Sequence, residues 1–194
     1  MKRYFAFLIL LFLMSACDDK SNQKGTFGYD LAFLKQHHPD LVLLKDPSSG
    51  AQVIVLPGYQ GRVMTSTSDG EKGMSYGWIN YDLIETGKFS EHFTALGGEG
   101  RFWLGPEGGQ FALYFKKGAE FTFDNWYVPK AIDSEPFNLV SSNASEARFE
   151  KTMQLENYTG TAFDIKVNRN ISLLDHDSIN EFLGLELGSD IRSV

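Results

Sequence analysis

From residue 41 onward, apolar and polar positions tend to alternate with a period of two, the spacing of strands with one wet face. Residues 41–45 and 52–56 flank Asp46-Pro47-Ser48-Ser49-Gly50, a hairpin signal. Gly58-Tyr59-Gln60-Gly61 turns the chain again, into a strand over residues 62–68. Phe111, Leu113 and Phe115 alternate with Ala112, Tyr114 and Lys116; Lys117-Gly118 reads as a turn, and Phe121 and Phe123 continue the pattern. Phe149, Met153 and Leu155 share one face of residues 146–156, opposite Arg148, Glu150, Thr152, Gln154 and Glu156. Asn157-Tyr158-Thr159-Gly160 then turns back into Phe163, Ile165 and Val167. A helix over residues 29–38, with Leu31, Phe33 and Leu34 apolar and Pro39 as its stop, precedes the strands. Two helical interruptions follow: residues 81–86 between an Asn80 cap and Gly87, and a turn from Ser178 whose Glu181 completes a capping box. The fold class expected is mainly β, a long antiparallel meander forming a β-sandwich with one or two short helices set into it. Leu185-Glu186-Leu187 and Ile191-Arg192-Ser193-Val194 read as strand material at the chain's end. An edge cut there would lie unprotected, so the sequence predicts a domain over residues 27–194 that is truncated at its C-terminal side, or a gene fragment.

Composition narrows the function classes. With 42% hydrophobic and 22% charged residues, the 194-residue chain has the make-up of a folded domain. Its formal charge of −7 argues against nucleic acid as a partner, which needs a basic face. One cysteine excludes a disulfide framework and multi-cysteine metal sites, and no cofactor is expected. Lys2 and Arg3 precede an apolar run over residues 4–14 that is too short to span a bilayer, for which a helix needs about 20 residues. The run ends in Met14-Ser15-Ala16-Cys17, which resembles the cleavage box of bacterial lipoproteins. That resemblance implies removal of residues 1–16 as a signal peptide and acylation of Cys17, giving a membrane partner through a lipid anchor. Residues 17–26 then form a polar, flexible tether, and the acidic pair Asp18-Asp19 hints at outer-membrane or cell-surface sorting. An ordinary secretory signal with a chance Cys17 is the alternative.

The chemistry concentrates in residues 95–110, ALGGEGRFWLGPEGGQ, where glycines bring backbone within reach of a ligand beside Glu99, Arg101, Trp103 and Glu107. Sugar rings present C–H faces that stack on indole, and their hydroxyls suit carboxylates and guanidinium forks. The segment lacks the Lys-Ser/Thr and the helix of a phosphate loop. Each candidate has a structural alternative. Glu107 equally suits accepting backbone N–H groups of its own loop, and Arg101 equally suits an internal pair with Glu99 or Glu107. Trp103 is the best platform, whereas Trp78 and Trp126 read as core and Asn80 as a cap. His92 reads as a surface residue more than an acid–base group. Asp175-His176-Asp177 reads as a helix start and His37-His38 as a helix end, so no metal site is assigned.

The run Gly97-Gly98, Arg101, Trp103, Gly105-Pro106-Glu107-Gly108-Gly109-Gln110, preceded by Ser75-Tyr76-Gly77-Trp78-Ile79-Asn80-Tyr81, resembles an uncharacterised bacterial lipoprotein branch of the galactose mutarotase-like superfamily. The resemblance spans residues 31–194 and implies a β-supersandwich, carbohydrate recognition, and Glu99, Arg101, Trp103 and Glu107 as ligand contacts. Aldose epimerases of that superfamily pair a histidine acid with a glutamate base from the C-terminal half. No position of this chain matches either, so the catalytic residues stay unassigned. The function expected is carbohydrate binding by a lipid-anchored envelope protein; the alternative is a structural or accessory envelope lipoprotein.

Overall fold

A computed structural model describes residues 20–188. The leader, Cys17 and the strand expected over residues 191–194 lie outside that range. The elements run α1 (Phe27–His37), β1 (Val42–Lys45), β2 (Gln52–Leu56), β3 (Arg62–Thr67), α2 (Tyr81–Thr86), α3 (Lys130–Asp133), β4 (Asn138–Ser142), β5 (Glu146–Glu156), β6 (Ala162–Ser172) and α4 (His176–Leu183). The strands form two antiparallel three-stranded sheets, β1-β2-β3 and β4-β5-β6, in place of one continuous meander. Among the described residues there are four α-helical segments: the helix before the strands and the two helical interruptions stand as α1, α2 and α4, and α3 is a further one that the sequence did not suggest.

The apolar pattern explains how the layers meet. Val42, Leu44 and Val55 of the first sheet share a buried cluster with Ala147, Phe149, Met153 and Leu155 of β5. The opposite face of that sheet, Ile54, Leu56 and Met64, packs with Phe27 and Leu34 of α1, Ile84 of α2, and Leu96. Burying both faces of β2 makes the first sheet the central layer of the molecule. β5 and β6 pair without a slip from Glu146↔Ser172 to Glu156↔Ala162, so the alternation expected for residues 146–156 is realised along the whole ladder. Asn80 caps α2 by accepting from Leu83 N at 3.2 Å, and Gly87 ends it in the left-handed region.

Several expectations are corrected. Residues 111–123 are not strands. Ala112, Leu113, Tyr114 and Phe115 are buried in succession, so wet and dry positions do not alternate there and no ladder forms. Its backbone is held singly, by Tyr127 N on Tyr114 O at 3.0 Å and Tyr158 N on Ala112 O at 2.8 Å. Residues 185–187 are irregular, with Leu187 N donating to Asn180 Oδ1. α4 begins before Ser178: Asp175 is its cap and accepts from Ser178 N at 2.8 Å, an interaction that holds the exposed Asp175 carboxyl below the ordinary range. Residues 20–26 are folded instead of forming a free tether. They include a 3-10 turn, Lys20–Asn22, and Gly25 O accepts from Ser75 N at 3.0 Å. Among the described residues, no helix is long and apolar enough to cross a membrane.

Candidate functional site

The glycine-rich segment lies against both sheets and is fastened by three arginines. Arg62 of β3 donates to Gly97 O at 2.8 Å, Arg101 to Thr94 O at 3.2 Å, and Arg169 of β6 to Gly100 O at 2.7 Å. Two carbonyls of the segment thus meet guanidiniums from β3 and β6, while its own Arg101 reaches back to the carbonyl of Thr94 just before it. Gly97 and Gly98 make this possible, with φ of +94° and +102°. A Cβ at Gly97 would stand 2.1 Å from Trp78 O, and one at Gly98 2.6 Å from Arg62 Cδ. The glycines therefore serve close packing against the protein's own backbone and arginine stem, where the sequence had suggested a ligand.

Burial sets the electrostatics. Arg62 is almost wholly buried, and desolvation pulls its guanidinium down to about 10, with the like charges of Arg101 and Arg169 adding to the effect and Asp133 opposing it. Gln60 bridges the region: its Oε1 accepts from Arg62 Nη2 at 3.0 Å, and its amide reaches Ile132 O and Phe102 O. The Nε atoms of Arg62, Arg101 and Arg169 are buried without a partner. Each guanidinium binds through its outer nitrogens and leaves its stem side dry.

Arg101 pairs with neither Glu99 nor Glu107. Its Nη2 lies 2.7 Å from Oδ1 of Asp133, at the end of α3, whose other oxygen accepts from Thr94 Oγ1 at 2.6 Å. Asp133 is the residue that sequence reasoning missed. It sits 32 positions from Arg101, and no local pattern ties the two. Glu99 points away from Arg101 and binds the β3 edge, accepting from Ser66 N at 2.7 Å and from Ser66 Oγ.

On the outer side of the segment, an open hollow of about 450 Å³ is lined by Phe93, Arg101, Trp103, Glu107 and Trp126. Three of the four residues singled out from the sequence, Arg101, Trp103 and Glu107, meet there; Glu99 does not. Trp103 Nε1 donates to Glu107 Oε1 at 2.8 Å. The guanidinium carbon of Arg101 lies 4.4 Å from the Phe93 ring centre and 4.9 Å from that of Trp103, within cation–π range. Trp103 is itself stacked on Tyr114, with centroids 4.9 Å apart. Much of its face is occupied, and Phe93 and Trp126 add aromatic lining to the hollow beside it. Tyr114 is buried, donates to Leu104 O, and has its phenol pushed up to about 12 by desolvation, so it stays a neutral support behind the hollow. Trp126 packs partly buried against the core, as the sequence suggested, and also lines the hollow, whereas Trp78 is 62% exposed elsewhere and is not a core residue. His92 Nδ1 lies 2.5 Å from Trp126 O, which anchors the tryptophan backbone. His38 ends α1 and meets Tyr59 Oη at 2.7 Å through Nε2.

The arrangement suits a ligand with apolar faces and hydroxyl edges: rings for the former, a carboxylate and a guanidinium for the latter. No curated protein and no solved structure matches the chain. A family model does match, over residues 25–194, and the chain belongs to that family, one of unknown function (DUF6786).

Proposed function

We propose that this protein is a carbohydrate-binding protein whose two sheets form part of a mutarotase-like β-sandwich, held at the bacterial cell envelope by a lipid on Cys17. The observation that carries the binding role is the juxtaposition of Phe93, Trp103, Trp126, Arg101 and Glu107 around one open hollow. Glu107 is the single carboxylate among those lining residues, and its hydrogen bond from Trp103 leaves its second oxygen for a hydroxyl. One carboxylate with no acid–base partner beside it suits binding better than ring opening at an anomeric carbon, which needs matched groups.

Titration of the purified protein with a glycan panel tests the role. Tryptophan fluorescence is expected to change with at least one sugar, and Trp103→Ala to abolish the response. A panel without any response removes the proposal. The anchor is tested separately: labelled palmitate is expected to enter the wild type and not Cys17→Ala, and failure to label the wild type overturns it.

A second reading is favoured by the buried Arg101–Asp133 pair, which makes the segment a structural brace in an accessory envelope protein. On that reading, Arg101→Ala and Glu107→Gln lower the melting temperature and leave no ligand response to lose.

A further inference from the structure

Accessible aromatic rings continue beyond the hollow in a row, Trp103, Trp126 and Phe123, backed by the buried Tyr114. Tyr114 lies behind Trp103 and Trp126 with centroids 4.9 and 6.2 Å away and interplanar angles of 17° and 18°, and Phe123 lies beside Trp126 at 6.2 Å and 16°. These are near-parallel rings at offset-stacking distances, so each covers only part of the next. Phe123, at the outer end, is 72% exposed. Its position is nevertheless fixed. It opens the 3-10 turn Phe123–Asn125, which is closed by Trp126 N on Phe123 O at 3.1 Å and by Asn125 Nδ2 on Glu120 O at 3.1 Å. Because the exposed ring adjoins Trp126 at the rim of the hollow, it extends that apolar surface instead of standing alone.

Polar groups stand at both ends of the row. Arg101 and Glu107 flank Trp103, and His92 lies beside Phe123 with ring centres 5.2 Å apart. The bond from His92 Nδ1 to Trp126 O puts the neutral ring's proton on Nδ1 and turns Nε2 into an acceptor. Polar ends around successive apolar faces match a linear chain of sugar units. Each unit would lay a C–H face on a ring and turn its hydroxyls to the flanks.

We infer that the site takes an oligosaccharide running from the hollow across Trp126 to an outer subsite at Phe123, and not a single monosaccharide. This rests on the carbohydrate-binding role proposed above and names the class of ligand within it. Phe123 lies one ring beyond Trp126, at 6.2 Å, a step of the order of one sugar unit, so more than one unit is needed to reach it from Glu107.

The test is calorimetric or fluorescence titration of the full chain with malto-, cello-, xylo- and chito-oligosaccharides of one to six units. In a series that binds, affinity is expected to rise about tenfold or more between the monosaccharide and the longer members. Phe123→Ala, an exposed position whose loss leaves the fold intact, is expected to remove most of that gain while monosaccharide binding stays as it was. Phe123→Trp is expected to retain the gain. Equal affinity for one unit and for six, or a length dependence that Phe123→Ala leaves intact, overturns the inference and spares the binding role. Absence of binding at every length in all four series overturns both.

Discussion

Replacing Arg101 by methionine removes a guanidinium from a carboxylate that has almost no access to water. Asp133 is 4% exposed and meets Arg101 Nη2 at 2.7 Å. Breaking a buried pair from one side costs about 3–5 kcal/mol, because the remaining charge stays desolvated. Two features place Arg101→Met near the lower figure. The Arg101 side chain keeps 17% exposure, and Asp133 retains the Thr94 hydroxyl at 2.6 Å and the Thr94 N–H at 3.2 Å. A loss of about 3 kcal/mol corresponds to a melting point lower by roughly 6–12 °C for a domain of this size. Asp133→Leu alone strands the partly wetted guanidinium and is expected to cost about 2 kcal/mol. The double variant replaces the pair by apolar groups, so its cost should fall below the sum of the single costs by about 2 kcal/mol. Urea denaturation of the four proteins measures all of these terms. A cost under about 1 kcal/mol for Arg101→Met, or strict additivity in the cycle, would show that the pair does not hold the loop and that Arg101 is free to serve a ligand.

Two further outcomes follow from geometry and protonation. Gly97→Ala places a methyl 2.1 Å from Trp78 O in a backbone at φ +94°, and is expected to cost at least about 2 kcal/mol by urea denaturation; a neutral effect would mean that the segment is not seated as described. Desolvation beside Tyr59 lowers the His38 pKa below 6.5, with Asp40 opposing this and His37 adding to it. The unfolded chain therefore binds the extra proton first as pH falls, so stability is full above about pH 6.5 and declines through the lowered folded value. The melting temperature should drop between about pH 7.5 and pH 5, and His38→Gln should flatten that part of the profile. An unchanged slope in the variant would assign the dependence to other groups.

How much of this was legible in the sequence depended on whether a residue's environment was set by its neighbours along the chain. β5 and β6 were readable because one face of the ladder is wet, so Phe149, Met153 and Leu155 alternate against charged positions. α2 was readable because Asn80 and Gly87 end it by local hydrogen bonds and backbone angle. The alternation of Phe111, Leu113 and Phe115 misled for the converse reason. Ala112 and Tyr114, which alternate with them along the chain, are fully buried as well, and aromatic residues filling a core from an irregular backbone mimic a period of two. β4 escaped notice because all five of its residues are exposed, which erases any pattern. For Arg101, the nearest acids along the chain were Glu99 and Glu107, and the true partner arrives only once α3 folds against Thr94.

The glycine-rich segment then divides into two sides with different duties. Its inner side is an assembly device: the Gly97 and Gly100 carbonyls meet Arg62 and Arg169, Arg101 reaches back to Thr94 O, and Gly97 and Gly98 let the backbone sit against Trp78 O and the Arg62 stem. Glycine density there records packing and carries no information about a ligand. Its outer side presents Trp103 and Glu107 to the hollow, joined by Phe93 and Trp126 from outside the segment. Only Arg101 belongs to both sides, donating inward to Thr94 O and Asp133 while its guanidinium lies over Phe93 and Trp103. On the proposed binding role, a change at Arg101 must therefore disturb stability and binding together. Changes at Phe93, Glu107 or Phe123, which make no such inward contact, are the ones that would separate the proposed recognition from folding.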